Sequence, residues 1–149
     1  MATVSTVDGD YAHATHPVWG EIAPELTPAD FNHPYKMHPG FLRRLSRVRR
    51  AARVPFRVVS DHRPPTANAA AGGARGSAHM GDPCRAVDLR VQSSRERWAI
   101  VAAAIAEGIR RIGVYPPTDY QRSQWGKNAG SLHLDDSPTH PARVMWVSA

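Results

Sequence analysis

Apolar positions follow two different periods along this chain. From Pro39 to Arg53, Phe41, Leu42, Leu45, Val48 and Ala52 recur at spacings of three and four residues, while Arg43, Arg47 and Arg50 fall largely on the other side. That pattern predicts an amphipathic helix with one packing face and one basic face. Ala86 to Val91 alternates instead, with Val87, Leu89 and Val91 on one side and Asp88 and Arg90 on the other, which predicts a half-buried strand. Ser93-Ser94-Arg95-Glu96 has the form of a capping box opening another helix, with Trp98, Val101, Ala102 and Ile105 expected inward and Gly108 closing it. Val54 to Ser60, Ile109 to Tyr115, Ser131 to Asp135 and Arg143 to Val147 read as strands.

Turn chemistry organises the remainder. Thr27 is placed as an N-cap with Pro28 at the first helical position and Asp30 near the positive end of the helix dipole, in a helix kept short by Pro34. Ala67 to Arg75 suits a short helix ending at Gly72-Gly73. Pro116 to Gly130 is expected to be a long loop forming one wall of a substrate groove, and Met1 to His16 an N-terminal arm without periodicity. There is no internal repeat. The elements together predict one α+β domain over residues 1–149, with helices packed on a small antiparallel sheet.

Composition narrows the function class. A chain of 149 residues with 42% hydrophobic positions can sustain one core without staples. No stretch has the apolar length of a membrane span, and Met1 to Trp19 lacks the basic and apolar regions of a secretory signal, so the expectation is cytoplasmic synthesis with no membrane partner. The single cysteine, Cys84, excludes an internal disulfide and fits a reducing compartment. Lys and Arg number 19 against 13 Asp and Glu, a net charge of +6 that steers toward anionic polymers. The lack of interleaved aromatics or a recognised binding motif argues against nucleic acid as that polymer.

The chemistry lies between Ser60 and Asp135. Ser60-Asp61-His62-Arg63-Pro64 is followed by Asn68, Gly72-Gly73, Ser77-Ala78-His79-Met80-Gly81 and Ala86-Val87-Asp88-Leu89, and later by Ser131-Leu132-His133-Leu134-Asp135. Two histidines and a carboxylate are a donor set that zinc accepts, with a fourth position left to water at a catalytic site. Gly81, Asp82 and Pro83 exclude a continuous helix from His79 to Asp88, so a loop should present the histidine and a strand the aspartate. His13, His16, His33, His38, His62 and His140 have no such frame, and Cys84 reads as a buried or loop cysteine despite the affinity of thiolate for zinc. Ser77 lacks a partnered base and reads as support for its loop.

This ordered set of motifs resembles the M15 family of zinc peptidases, which cut D-amino-acid-containing peptides of bacterial peptidoglycan. The resemblance runs from about Leu26 to Trp146 and includes Arg110-Arg111-Ile112-Gly113-Val114-Tyr115-Pro116. It implies a hedgehog/D-Ala-D-Ala peptidase-like fold and one Zn2+ per chain on His79, Asp88 and His133. It further implies Arg63 as the cation for a substrate carboxylate or the developing oxyanion, with Ser77 beside the substrate. Asp135 is then the general base, or the partner that orients His133, with Asp136 and Asp119 as weaker alternatives for the base.

The chain departs from the family pattern in three places. His79 and Asp88 are nine positions apart, longer than the family's usual spacing, so the extra Asp82-Pro83-Cys84 segment is expected to bulge out of the ligand loop. Asp61-His62 stands where the family has Gly-Tyr, and Lys127-Asn128-Ala129-Gly130 fills the interval where many members carry a catalytic acid. The resemblance implies a peptidoglycan peptidase, as a phage endolysin or virion-associated lysin, with peptidoglycan and anionic wall polymers as partners. The rivals are a catalytically weakened wall-binding or virion structural protein that kept the fold, and a basic nucleic-acid-binding module. A complete ligand triad speaks against the first rival.

Overall fold

Val87, Leu89 and Val91 are fully buried while Asp88 and Arg90 between them are half-buried, so the alternation in this stretch becomes the two faces of a central strand. The computed structural model describes residues 11–64, 66 and 77–148. The expected helix from Ala67 to Arg75, with Gly72-Gly73, lies outside the described residues. In chain order the elements are α1 (Val18–Ile22), two 3-10 turns (Pro28–Asp30 and Pro34–Lys36), α2 (Pro39–Ala52), β1 (Val58–Ser60), a 3-10 turn (Ala78–Met80), β2 (Ala86–Val91), α3 (Ser94–Ala106), β3 (Arg111–Tyr115), α4 (Asp119–Trp125), β4 (Gly130–Asp135) and β5 (Val144–Val147).

The five strands form one sheet in the order β1-β2-β4-β3-β5, antiparallel except for the parallel β3–β5 pair. The fold is α+β. One face of the sheet meets α2 and α3: Val87, Leu89, Leu132, Leu134 and Ile112 join Phe41, Leu42, Leu45, Val48, Ile100 and Ala104 in a single core. Each large aliphatic side chain so buried contributes about 1.5–3 kcal/mol.

Helix α2 buries the face its spacing marks, and Arg53 closes it in the left-handed conformation. Helix α3 does not. Its Ser93 cap accepts from the Glu96 amide, but Ile100, Ala103 and Ala104 turn inward while Trp98 is 75% and Ile105 58% exposed. Residues 98–106 are apolar without interruption, so spacing alone singles out no face of this helix.

Two loops also differ from expectation. The Pro116 to Gly130 stretch contains α4, opened by a reciprocal box in which Thr118 Oγ1 accepts from the Gln121 amide and Gln121 Oε1 from the Thr118 amide. The Asp82-Cys84 segment is tied down rather than bulging free. The Cys84 amide donates to the Lys36 carbonyl, the His38 amide donates to the Cys84 carbonyl, and Cys84 is fully buried. From Tyr11 onward the N-terminal stretch is likewise attached, through the Ala12 amide to Met37 and the Tyr11 hydroxyl to Asp82.

Candidate metal centre

Strand register assembles the site. Ser60 pairs with Asp88, Asp88 with His133, His133 with Gly113 and Gly113 with Trp146, so one transverse row crosses all five strands. Directly paired residues point to the same face, which sets Asp88, His133 and Trp146 side by side away from the helices. His79 reaches this row from the 3-10 turn before β2, where the Ser77 hydroxyl accepts the His79 amide at 3.2 Å and so fixes the turn. One donor atom from each of His79, Asp88 and His133 lies within 4.8 Å of the other two.

The hydrogen bonds around the histidines decide what this trio can hold. His79 Nδ1 lies 2.6 Å from the Asp61 carbonyl oxygen, which only accepts, so the proton is on Nδ1 and Nε2 presents a lone pair. Nε2 is buried, makes no hydrogen bond, and sits 3.1 Å from Asp88 Oδ2. His133 repeats the arrangement: Nε2 meets Asp135 Oδ2 at 2.5 Å, leaving Nδ1 turned to Asp88 Oδ1 at 3.0 Å. A proton between each ring and the carboxylate, or a cation in its place, turns these close approaches into bonds. Two imidazole nitrogens and a carboxylate therefore fit a divalent metal of the nitrogen/oxygen class.

Residues 25–121 match the Peptidase M15 family, well over half of the chain. The chain belongs to that family. The matched stretch holds Arg63, Ser77, His79 and Asp88 and ends before His133, whose place beside them comes from the β2–β4 register. No curated protein and no solved structure matches the chain.

Around the M15 donor set the electrostatics are those of a site where metal and proton compete. In the metal-free protein burial resists ionisation of Asp88, but the His133 and His79 imidazoles, when they carry a proton on the side facing it, outweigh burial and hold the carboxyl below the usual carboxylate range. Burial also disfavours the charged His133 imidazole, yet its bonds to Asp135 and Asp88 raise its pKa to about 8. The Asp135 carboxyl is lowered despite burial, by His133, the Ser137 amide and Arg111.

Asp135 is fully buried, and its carboxylate serves His133 Nε2, Arg111 Nε at 3.1 Å and the Ser137 amide at 2.9 Å. It thus occupies the nitrogen of His133 that points away from Asp88. Asp136 is turned elsewhere, to Arg44 and the Arg110 amide, and Asp119 is on the exposed start of α4, paired with Arg122. Arg63 stands 4.0 Å from Asp88 Oδ2, and its backbone amide donates to the His79 carbonyl. The Cys84 thiol is not among the converging donors, and burial pushes its pKa up to about 12, which keeps it protonated. His62 Nδ1 turns to the Gly81 carbonyl at 3.3 Å.

Three residues that sequence reasoning passed over shape the M15 site. Asp61 is 1% exposed; its carboxylate takes the amides of Asn32 and His33 and the His33 ring, which locks the carbonyl that orients His79. The Trp146 ring centre lies 5.4 Å from that of His133 and 5.0 Å from the Arg111 guanidinium, and its Nε1–H is donated to the Tyr115 hydroxyl. Gly113 makes room for it, since a Cβ there would come within 2.6 Å of the indole. The substitution of Asp61 into the Gly-Tyr position was the one readable signal; the roles of Arg111 and Trp146 depend on register alone.

Proposed function

We propose that this M15 protein is a zinc-dependent peptidase that hydrolyses peptide bonds of bacterial peptidoglycan, acting as a phage endolysin or virion-associated lysin released from the cytoplasm of its producing cell. The observation that carries this reading is the buried, unbonded Nε2 of His79 facing Asp88 beside Nδ1 of His133, in a chain of a peptidase family. His79, Asp88 and His133 would hold the metal, which when bound polarises a scissile carbonyl and lowers the pKa of water. Arg63, beside the donor set, holds a substrate carboxylate or the developing oxyanion with its fixed fork of donors.

Asp135 acts in this reading through His133. It fixes the proton on Nε2, keeps Nδ1 free to bind metal, and is itself held by Arg111. Ser77 acts through the loop that presents His79. The net charge of +6 supports attraction to an anionic wall.

Elemental analysis of chain purified without added metal, together with mass spectrometry of purified peptidoglycan after digestion, tests the reading. About one zinc per chain and new peptide ends are expected. His79→Ala should lose both, and full zinc occupancy in that variant would overturn the metal assignment. Binding to walls without new peptide ends would favour a wall-binding protein that kept the fold.

A further inference from the structure

Arg63 and Arg90 each bury an Nε that has no hydrogen-bond partner. Other half-buried arginines around the sheet are satisfied: Arg57 by Glu96, and Arg111 by Asp135 and the Pro141 carbonyl. Arg97, whose Nε is also unbonded, still donates through Nη2 to the carbonyls of Asn128 and Ala129. Among the described residues no carboxylate pairs with Arg90, and its guanidinium contacts instead the Trp125 ring, 4.6 Å from the ring centre.

The position of this cation matters. Arg90 is two residues beyond Asp88 on β2, on the same face, about 7 Å farther along the strand at the usual rise. Trp125 ends α4, and Gln121 of the same helix reaches Ser131, the partner of Arg90 on β4, at 3.5 Å. Helix α4 thus places an aromatic platform under the guanidinium, and the Nη groups, unlike the buried Nε, are left to meet an anion. Arg63 lies the other way. With Ser60 opposite Asp88 in an antiparallel pair, the chain beyond Ser60 runs toward the start of β2 and away from Arg90.

A half-buried cation without a counter-charge is costly, and the cost is recovered when an anion arrives. We infer that Arg90, stacked on Trp125, binds a carboxylate of the substrate on the side of the scissile bond opposite Arg63. The favoured substrate is then an acidic peptide with a free carboxylate within about two residues of the bond that is cut. This rests on the peptidase reading and adds to it the charge of the substrate.

The test uses two stem pentapeptides, identical except that side-chain carboxylates are free in one and amidated in the other, with the terminal carboxylate free in both. Zinc-loaded wild type and Arg90→Gln are compared by calorimetric binding and by cleavage. Wild type should favour the acidic peptide by about tenfold or more in kcat/KM, chiefly through KM, as a charge-assisted pair predicts. Arg90→Gln should bring the two peptides together while zinc content stays at the wild-type level, and Trp125→Ala, which keeps the charge and removes its platform, should lose part of the preference.

Equal handling of both peptides by wild type, or a preference that survives in Arg90→Gln, overturns the inference. Should circular dichroism show Arg90→Gln unfolded, Arg90→Lys and Trp125→Ala carry the test, and an undiminished preference in both overturns it. An Arg90-dependent preference in binding without cleavage by wild type would remove the peptidase reading and keep the carboxylate site.

Discussion

The two faces of the β2–β4–β3 sheet carry opposite chemistry, the helix face fully buried and the other buried only in part. Toward the helices, Val87, Leu89, Leu132, Leu134 and Ile112 pack with α2 and α3; on the other face His133 and Asp135 are 7% and 0% exposed yet polar. The apolar face gains from removal of surface from water, a non-directional term that any well-filled packing satisfies. The polar face is buried at a cost that only specific partners recover: Asp61 for His79, Asp135 for His133 and Arg111 for Asp135. The same strands therefore carry stability on one side and directed chemistry on the other.

Substitutions can break this contrast. Leu132→Ala, on the helix side, should cost about 2–5 kcal/mol by urea unfolding of the metal-free protein, because a fully buried side chain leaves a cavity among Leu89, Leu134 and the helices. A loss under about 1 kcal/mol would mean that the helix face collapses around the gap and is less specifically packed than described.

Asp135→Asn, on the site side, should weaken zinc binding about 10- to 100-fold in a chelator competition, as loss of an orienting partner typically does. Normal zinc content with turnover down on the order of 10²-fold would instead make Asp135 the proton acceptor. Normal metal and normal rate would exclude both roles.

A smaller effect sharpens the contrast by pH. Glu96, at the start of α3, has its carboxyl held below the ordinary value: burial opposes this, but the Gln92 amide and Arg57 prevail. A carboxyl with a folded pKa below its unfolded value adds stability above the unfolded value, about 4.3, and loses it as pH falls through the folded one. The stability gap between wild type and Glu96→Gln should be at most about 1 kcal/mol at pH 7 and should close on acidification. A gap independent of pH would remove the electrostatic account.

Smallest of all, Trp98→Gln should shift stability by less than about 0.5 kcal/mol, since the ring is 75% exposed on the outer side of α3. A core-sized loss would restore Trp98 to the packed face that the sequence pattern assigned it.

The sequence by itself determined what depends on neighbours a few residues apart. It carried the buried face of α2, the alternation of β2, the Thr27 and Ser93 ends and the His79 loop before the Asp88 strand, because helix and strand periods and caps are short-range physics. Helix α4 was missed, since the proline and glycine around it read as loop, although Thr118 and Gln121 carried the signal of its start. Tertiary structure decided which side of α3 turned inward, since an uninterrupted apolar run has no preferred face until a partner supplies one. It also decided that Asp88, His133, Gly113 and Trp146 share one row, that Arg111 supports Asp135, and that Trp125 lies under Arg90. Those pairings follow from strand register across long loops, which is set only when the whole sheet closes on its core.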